Sequence, residues 1–397
     1  MWDKVKQAKE AHKVKLKGLP NVVGVACGFK RTGGQVTDIE AVLVFVKKKL
    51  PREQLSAETL VPPVLMAGDA QGVATDVIES HDLKKLPATI VAAPPLLVPN
   101  QQKQRPVVGG LSISPGNFLL AGTGGLIVER DGLPMVLSNT HVLRLSEIYD
   151  PSKRPQKGLY VRQPAFLDDG KPTDSIGTLE DWIETRFPGP NTVDAAVARL
   201  NVQWKPDILG IGKPKGIDDP QIGQVCRKSG RTSGVSQAAI SGLDGDFQID
   251  YSNDPNQPII ADFTGLVVSD SPFMQPGDSG SVWVAGDTVV ALGFAGSDTI
   301  SLAIPIKTVF QALNLSLPLV ASPADVLASL VGNVLCWGYQ AQDQTWALYD
   351  SSDATGSDLI TLVPGSGYWL KVEQDQVLSY GGFQWNLYKG WNLIGMR

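Results

Sequence analysis

Short apolar runs separated by turn-forming residues fill the middle of the chain. Between residues 107 and 317 these runs alternate with Gly, Asp, Asn and Pro, and the predicted strands are 124–128, 135–137, 195–200, 282–285, 289–294 and 301–305. Many short strands with turns between them are typical of a β-barrel or a β-sandwich. We therefore expect a mainly β region that a short helix at residues 306–313 closes.

The region before it differs in pattern. Residues 1–17 contain six lysines and predict a helix whose lysines are solvated. Apolar runs at 22–29 and 39–46 flank the turn-forming Thr32-Gly33-Gly34, which predicts paired strands, and a third strand is expected near 72–79. Together these elements predict a small α+β domain over residues 1–90.

Two changes in composition mark the predicted domain limits. Residues 91–106 are rich in Pro and Gln, which indicates an extended linker, and the main β domain is placed at 107–318. Residues 325–397 hold five of the nine tryptophans and predict a C-terminal β module. Its aromatic side chains are expected to fill a small core, and a face that binds sugars or peptides is the alternative.

Charge and cysteine content exclude several classes of function. The 35 basic and 40 acidic side chains give a net charge of −5, so we expect no nucleic-acid partner. Cys27, Cys226 and Cys336 are far apart and are expected to be free, buried thiols. No run approaches the roughly 18 apolar residues of a membrane helix, and no secretory signal is visible at the N-terminus. We therefore expect a cytoplasmic protein without a membrane span.

Histidine is scarce, and only one of the three stands in a chemically suggestive place. His12 and His81 lie among charged residues, as solvated surface histidines do. The chain has no H-E-x-x-H motif and no paired Cys/His spacing, so no metal or organic cofactor is expected. His141 comes just after the apolar run 135–137, where a strand-to-loop junction can hold a general base firmly.

A serine flanked by glycines provides the matching nucleophile. In Gly277-Asp278-Ser279-Gly280 the glycines permit a tight turn that exposes the hydroxyl of Ser279. The same turn points the backbone N–H groups of Gly277 and Ser279 into one pocket, where they can bind the oxyanion of a tetrahedral intermediate. A serine hydroxyl needs a neighbouring base to accept its proton, which is the predicted role of His141.

The predicted base also needs a carboxylate to orient it. Asp194 begins the apolar run 195–200 and is expected to be partly buried there. A buried carboxylate requires a hydrogen-bond partner, and the imidazole N–H of His141 satisfies that need. The sequence therefore predicts a catalytic triad of His141, Asp194 and Ser279.

These motifs, over residues 107–317, resemble the trypsin-like serine peptidases of bacteria. The resemblance is carried by Ser138-Asn139-Thr140-His141-Val142, by Asp194-Ala195-Ala196-Val197 and by Gly277-Asp278-Ser279-Gly280, in the order His, Asp, Ser. Residues 225–234 look like a strand of the same enzymes. The resemblance implies a chymotrypsin-like double β-barrel and a serine endopeptidase that forms an acyl-enzyme.

The N-terminal region carries a second resemblance. Residues 19–25 and 44–48 are similar to a domain that precedes bacterial trypsin-like peptidases related to plant narrow-leaf proteins. The small α+β domain is therefore expected to be of that type.

The family resemblance also implies how the site is supported and what it accepts. Bacterial relatives pair the aspartate before the serine with an internal basic side chain, so Asp278 is expected to pair with a cation and to need no activating cleavage. Candidates for this cation are Arg227, Lys228 and Arg231. Phe273 and Met274 stand at the base of the expected specificity pocket, which favours a small or apolar side chain before the scissile bond.

Other functions remain open at this point. A latent peptidase fold that serves as a binding scaffold and a serine esterase both fit the same residues. An α/β-hydrolase does not, because its order is Ser, Asp, His and its motif requires glycine where Ser281 stands. The expected partners are a protein or peptide substrate, and a regulatory protein that binds the N- or C-terminal domain.

Overall fold

Strands dominate the fold of this protein, as the sequence predicts. The structure is a computed structural model that describes residues 2–67, 71–86, 98–148, 150–252, 254, 256–318, 322–340, 344–359, 361–362, 366–380 and 382–396.

The N-terminal unit is a helix on a small sheet. Its elements are α1 (Trp2–Lys17), β1 (Val22–Thr32), β2 (Gln35–Val46), β3 (Val64–Ala67), β4 (Gln71–Glu79) and the two-residue strand β5 (Lys84–Lys85). Strands β1 and β2 form an antiparallel hairpin, and β4 runs parallel to β2. Val5 and Leu16 of α1 are buried against Val25 and Val44 of the hairpin. The expected helix and three strands are present, and β3 is an addition.

The first half of the main β region forms a closed barrel. Its elements are β6 (Val107–Gly109), β7 (Leu111–Pro115), β8 (Gly122–Gly124), β9 (Leu126–Arg130), β10 (Leu133–Ser138), α2 (Thr140–Leu143), β11 (Tyr160–Arg162), β12 (Ser175–Trp182), β13 (Ala196–Leu200) and β14 (Trp204–Ile208). The strand order is β8-β7-β11-β12-β13-β10-β9. Only Gly125 separates β8 from β9, and its N–H donates to Leu137 on β10 (2.9 Å), so the sheet closes on itself.

The second half forms another closed barrel. It contains β15 (Gly216–Ile217), β16 (Val225–Gly230), β17 (Gly234–Asp250), β18 (Ile260–Ser269), β19 (Val282–Ala285), β20 (Thr288–Gly296), β21 (Ser301–Pro305) and α3 (Ile306–Leu313). The order is β16-β19-β20-β21-β18-β17, and β16 also pairs with β17. Two closed barrels in succession are the chymotrypsin-like architecture that the sequence predicts.

The N-terminal sheet is continuous with the second barrel. Strand β1 pairs antiparallel with β17, with Gly24 opposite Phe247 and Gly28 opposite Gly242. The expected solvated lysine face of α1 is wrong at Lys9, because this side chain is only 1% exposed and its Nζ lies 2.6 Å from the carboxylate of Asp246 on β17. Burial opposes the ammonium charge, but the hydrogen bonds and negative charges of Asp246 and Asp244 together outweigh it and raise the pKa of Lys9.

Part of the predicted linker also packs on the barrels. Residues 91–97 lie outside the described residues, but Asn100 is buried and its side chain donates to Gly110 O (2.7 Å) and to Ser229 Oγ (2.9 Å). Residues 98–106 are therefore held against both barrels rather than extending freely. The domain limits at 90, 106 and 318 stay predictions.

The C-terminal unit has a core of its own. It comprises α4 (Pro323–Leu327), β22 (Leu335–Gln340), β23 (Thr345–Asp350), β24 (Gly367–Val372), β25 (Gln376–Tyr380), β26 (Phe383–Leu387) and β27 (Gly390–Gly395). Strand alternation directs Cys336 and Leu370 inward. Trp346, Trp369 and Trp391 are 48%, 42% and 49% exposed, so the expectation that the tryptophans fill the core is wrong for these three.

The cysteines agree with the sequence analysis. All three are free and buried, and burial raises the pKa of each thiol to about 12. Within the described ranges, no helix is long and apolar enough to cross a membrane.

Candidate active site

His141 is held in place by hydrogen bonds from the side chains of the two preceding residues to backbone carbonyls just before β13. Helix α2 begins immediately after β10, and the imidazole of His141 is fully buried. The side chain of Asn139 donates to Asp194 O (2.7 Å), and Thr140 Oγ1 donates to Ala195 O (2.8 Å). These bonds fix the His141 backbone against the start of β13.

Asp194 accepts hydrogen bonds from that same turn. One carboxylate oxygen accepts the Thr140 N–H (2.6 Å) and the His141 N–H (3.2 Å), and the other lies 2.6 Å from His141 Nδ1. Burial favours the neutral acid, but the contacts with His141 and Tyr251 together outweigh this effect and lower the pKa of Asp194. An ionised Asp194 makes Nδ1 the donor, which leaves Nε2 of His141 as an acceptor. Among the described residues Nε2 has no partner.

Tyr251 is a site residue that the sequence analysis missed. It lies just beyond β17, is fully buried, and its hydroxyl donates to Asp194 Oδ2 at 2.5 Å. Its ring stacks on Phe263 and meets the His141 ring edge-on with centroids 5.8 Å apart. Burial first, and then the Asp194 charge, raise the pKa of Tyr251 well above its usual value. The tyrosine is therefore a neutral donor that orients the carboxylate.

Ser279 lies on a glycine turn where the two barrels meet. Gly280 has φ +95°, and a Cβ there would lie 2.0 Å from Thr123 O and 2.4 Å from Ser138 Oγ, so only glycine fits. The Thr123 N–H donates to Ser279 O (2.8 Å), and Ser138 Oγ donates to Thr123 O (2.7 Å). These bonds connect the serine turn to the strand that precedes His141.

The hydroxyl of Ser279 is bonded to a backbone carbonyl and not to the histidine. It is buried and donates to the carbonyl oxygen of Phe294 at 3.0 Å. No hydrogen bond joins it to His141 within the described part of the chain. The backbone N–H of Gly277, an expected oxyanion donor, contacts Leu86 O at 2.5 Å. The predicted triad residues therefore lie at one interface between the two barrels. At this interface the Gly277 N–H already donates to a peptide carbonyl, that of Leu86.

Asp278 pairs with one of its three candidate cations. Lys228 Nζ is 2.8 Å from Asp278 Oδ2, and both side chains are completely buried. Arg227 instead donates to Gly286 O, and Arg231 forms a two-contact ion pair with Asp168 at 2.9 and 2.5 Å. Burial outweighs the Asp278 charge and lowers the pKa of Lys228.

The predicted pocket residues belong to a buried apolar wall. Phe273 and Met274 are buried, the Phe273 and Trp283 rings are 4.8 Å apart, and Trp283 Nε1 donates to Met274 Sδ at 3.4 Å. Leu86 belongs to the same buried cluster. The sequence analysis gave no role to this segment, because residues 83–86 are short and have an ordinary composition.

Comparison with known proteins agrees with both resemblances. Residues 8–78 match the NARROW LEAF 1 N-terminal domain. About half of the chain is similar in fold to chymotrypsin-like serine proteases of bacteria. No curated protein matches the chain.

Several solved structures are similar to about half of the chain. A glutamic acid-specific serine protease is 18% identical, with a TM-score of 0.38, over 53% of this chain and 100% of that chain. Thermobifida fusca Protease A is 17% identical (TM-score 0.37; 53% and 97% of the two chains), and Cellulomonas bogoriensis chymotrypsin is 18% identical (0.37; 53% and 97%). No residue's role is inferred from these similarities.

Proposed function

We propose that this protein is a serine endopeptidase whose catalytic triad is His141, Asp194 and Ser279. One observation carries the proposal. The buried hydrogen bond of 2.6 Å between His141 Nδ1 and Asp194 leaves Nε2 free to accept a proton, at the interface where the glycine turn presents Ser279. A buried, oriented imidazole beside a serine is the arrangement that activates a hydroxyl for acyl transfer.

The reaction requires that the Ser279 hydroxyl leaves Phe294 O and forms a hydrogen bond with His141 Nε2. Ser279 Oγ then attacks the substrate carbonyl carbon, and its proton passes to Nε2. The oxyanion is held by the N–H groups of Gly277 and Ser279. The C–N bond breaks as His141 returns the proton to the leaving amine, and water hydrolyses the acyl-enzyme with His141 as the base.

Supporting contacts keep the parts in place. Asp278 accepts hydrogen bonds from the N–H groups of Thr232 (2.8 Å) and Gln275 (2.9 Å), in addition to its ion pair with Lys228. These contacts fix the turn, so a new N-terminus made by cleavage is not needed to hold it. Val107–Gly109 is buried in β6 and paired with β14, consistent with the proposal that no activating cleavage is needed. The apolar wall at Phe273 and Met274 supports a preference for apolar side chains before the scissile bond.

A latent peptidase is the second candidate. Two hydrogen bonds favour a site that is closed in this state. The Ser279 hydroxyl donates to Phe294 O, and the Gly277 N–H donates to Leu86 O. A protein partner that binds the N- or C-terminal unit remains part of the proposal, as the agent that opens it.

Peptide hydrolysis tests the proposed function. An amide substrate with leucine before the scissile bond is expected to be cut by the full chain over hours, and Ser279→Ala lowers the rate by roughly six orders of magnitude. Ser281→Ala is the matched control, since this buried serine lies two residues further on and has no assigned role, and it keeps the activity. Equal activity in the Ser279→Ala and Ser281→Ala chains contradicts the proposal.

A further inference from the structure

A segment of the N-terminal unit lies along the proposed substrate cleft as an added strand. Strand β5 pairs antiparallel with the end of β20, with Lys85 opposite Ala295 and Lys84 opposite Gly296. The pairing continues one residue further, where the Leu86 N–H donates to Phe294 O at 3.2 Å. An extended peptide held by main-chain bonds on a sheet edge is a general mode of peptide recognition.

The carbonyl of Leu86 stands where an acyl group must stand. Its oxygen accepts the Gly277 N–H at 2.5 Å, on the turn that carries Ser279. Its side chain is buried in one cluster with Phe273, Met274 and Trp283, the apolar wall described above. The carbonyl oxygen of Leu86 therefore takes the oxyanion donor Gly277 N–H. Its side chain fills the pocket that the proposed mechanism assigns to the residue before the scissile bond.

The side chain of Lys85 is buried beside an acidic and an aromatic partner. It is 6% exposed, forms an ion pair with Glu147 in the loop after His141, and its Nζ lies 5.9 Å from the centroid of the Tyr251 ring. Both partners belong to the elements around the triad. Lys84, the residue before it, is exposed, as alternation along a strand requires.

We propose that residues 83–86 fill the acyl side of the substrate cleft as an intramolecular ligand, which keeps the site closed and makes Lys-Leu the sequence that the cleft prefers. This inference rests on the proposed function and adds its regulation and its substrate class. Substrates are peptides with a basic residue followed by leucine before the scissile bond.

The segment is fastened at its N-terminal side, which explains how it can compete with substrates. The N–H of Asp250 on β17 donates to Leu83 O (2.9 Å), and the Leu83 side chain is buried. Upstream, the His81 ring contacts Asp298 (2.5 Å) and Glu79 (2.9 Å). A tether of a few residues gives the segment an effective concentration of the order of millimolar.

Displacing the segment by charge tests the inference. In Lys85→Glu the new carboxylate faces Glu147, and like charges at a buried site repel, so the segment leaves the cleft. Hydrolysis of a Lys-Leu amide substrate is expected to rise roughly tenfold or more, the factor that about 1.4 kcal/mol provides. Lys84→Glu is the matched control: it has the same charge change on an exposed neighbour and leaves the rate unchanged. Equal rates in the two variants overturn the inference.

A second measurement does not depend on catalysis. In the Ser279→Ala chain, the amide hydrogens of Leu86 and Gly277 are expected to exchange slowly, because Phe294 O and Leu86 O accept them. The added Lys85→Glu change removes this protection and Lys84→Glu does not. Unprotected amides in the parent chain overturn the occupancy of the cleft even if peptides are hydrolysed. Protected amides with no hydrolysis in any variant support the occupancy and contradict the proposed function instead.

Discussion

At the scale of single residues, the site combines side chains that the sequence reveals with one that it hides. His141 and Ser279 were predictable because local pattern marks them, through an apolar strand before the histidine and glycines around the serine. Tyr251 carries no such mark, since a buried tyrosine after a strand is an ordinary core residue. Its hydroxyl reaches Asp194 only through the tertiary fold, which brings the end of β17 to residues 57 positions earlier in the chain.

Tyr251→Phe tests the role of this hydroxyl while it keeps the ring stacked on Phe263. Loss of a hydrogen bond to a buried carboxylate is expected to lower the free energy of unfolding by about 1.5–3 kcal/mol. We expect kcat to fall roughly tenfold with little change in KM, because Asp194 positions His141 rather than the substrate.

The pH dependence separates this role from simple packing. The pKa of Asp194 is lowered in the folded state, so its contribution to stability is full above the usual carboxyl range and fades as pH falls through the lowered value. The stability difference between wild type and Tyr251→Phe therefore shrinks in acid. Tyr388→Phe, at a tyrosine of the C-terminal unit that is 68% exposed, is the control. A pH-independent difference, or an equal effect of Tyr388→Phe, contradicts the assignment.

At the scale of elements, strand alternation determines which of the candidate cations pairs with Asp278. Arg227 and Lys228 are neighbours on β16, so their side chains leave opposite faces, and only Lys228 enters the barrel interface to reach Asp278. The sequence analysis named both, together with Arg231, because the register of β16 against β19 is not visible in composition. Strand β5 was missed for a related reason, since two residues show no periodicity.

The neighbouring cations allow a matched experiment on the serine turn. Lys228→Met leaves the buried Asp278 carboxylate without its cation and is expected to cost about 3–5 kcal/mol of stability, measured by urea unfolding, together with most of the peptidase activity. Arg227→Met removes a charge one residue earlier and is expected to cost about 0.5 kcal/mol or less. Similar losses in the two variants mean that the ion pair does not support the turn.

At the scale of the whole molecule, the N-terminal unit is built into the sheet of the second barrel. The sequence predicted its helix and three of its strands because each has a local pattern, and it missed the short strands β3 and β5. It did not predict that β1 pairs with β17, or that Lys9 is buried against Asp246, because both contacts join residues more than 200 positions apart. The same continuity brings residues 83–86 to the proposed cleft. The unit that precedes the barrels therefore also supplies the segment that closes this cleft.

The central claim is that Ser279 is a nucleophile activated by His141, and covalent labelling tests it most directly. A fluorophosphonate probe is added to the folded Lys85→Glu chain, in which the cleft is expected to be open, and the modified peptide is identified by mass spectrometry. The account predicts that the label lies on Ser279, disappears in Ser279→Ala and is lost by several orders of magnitude in rate in His141→Ala. A label on another residue, or labelling of Ser279 at an undiminished rate without His141, would contradict it.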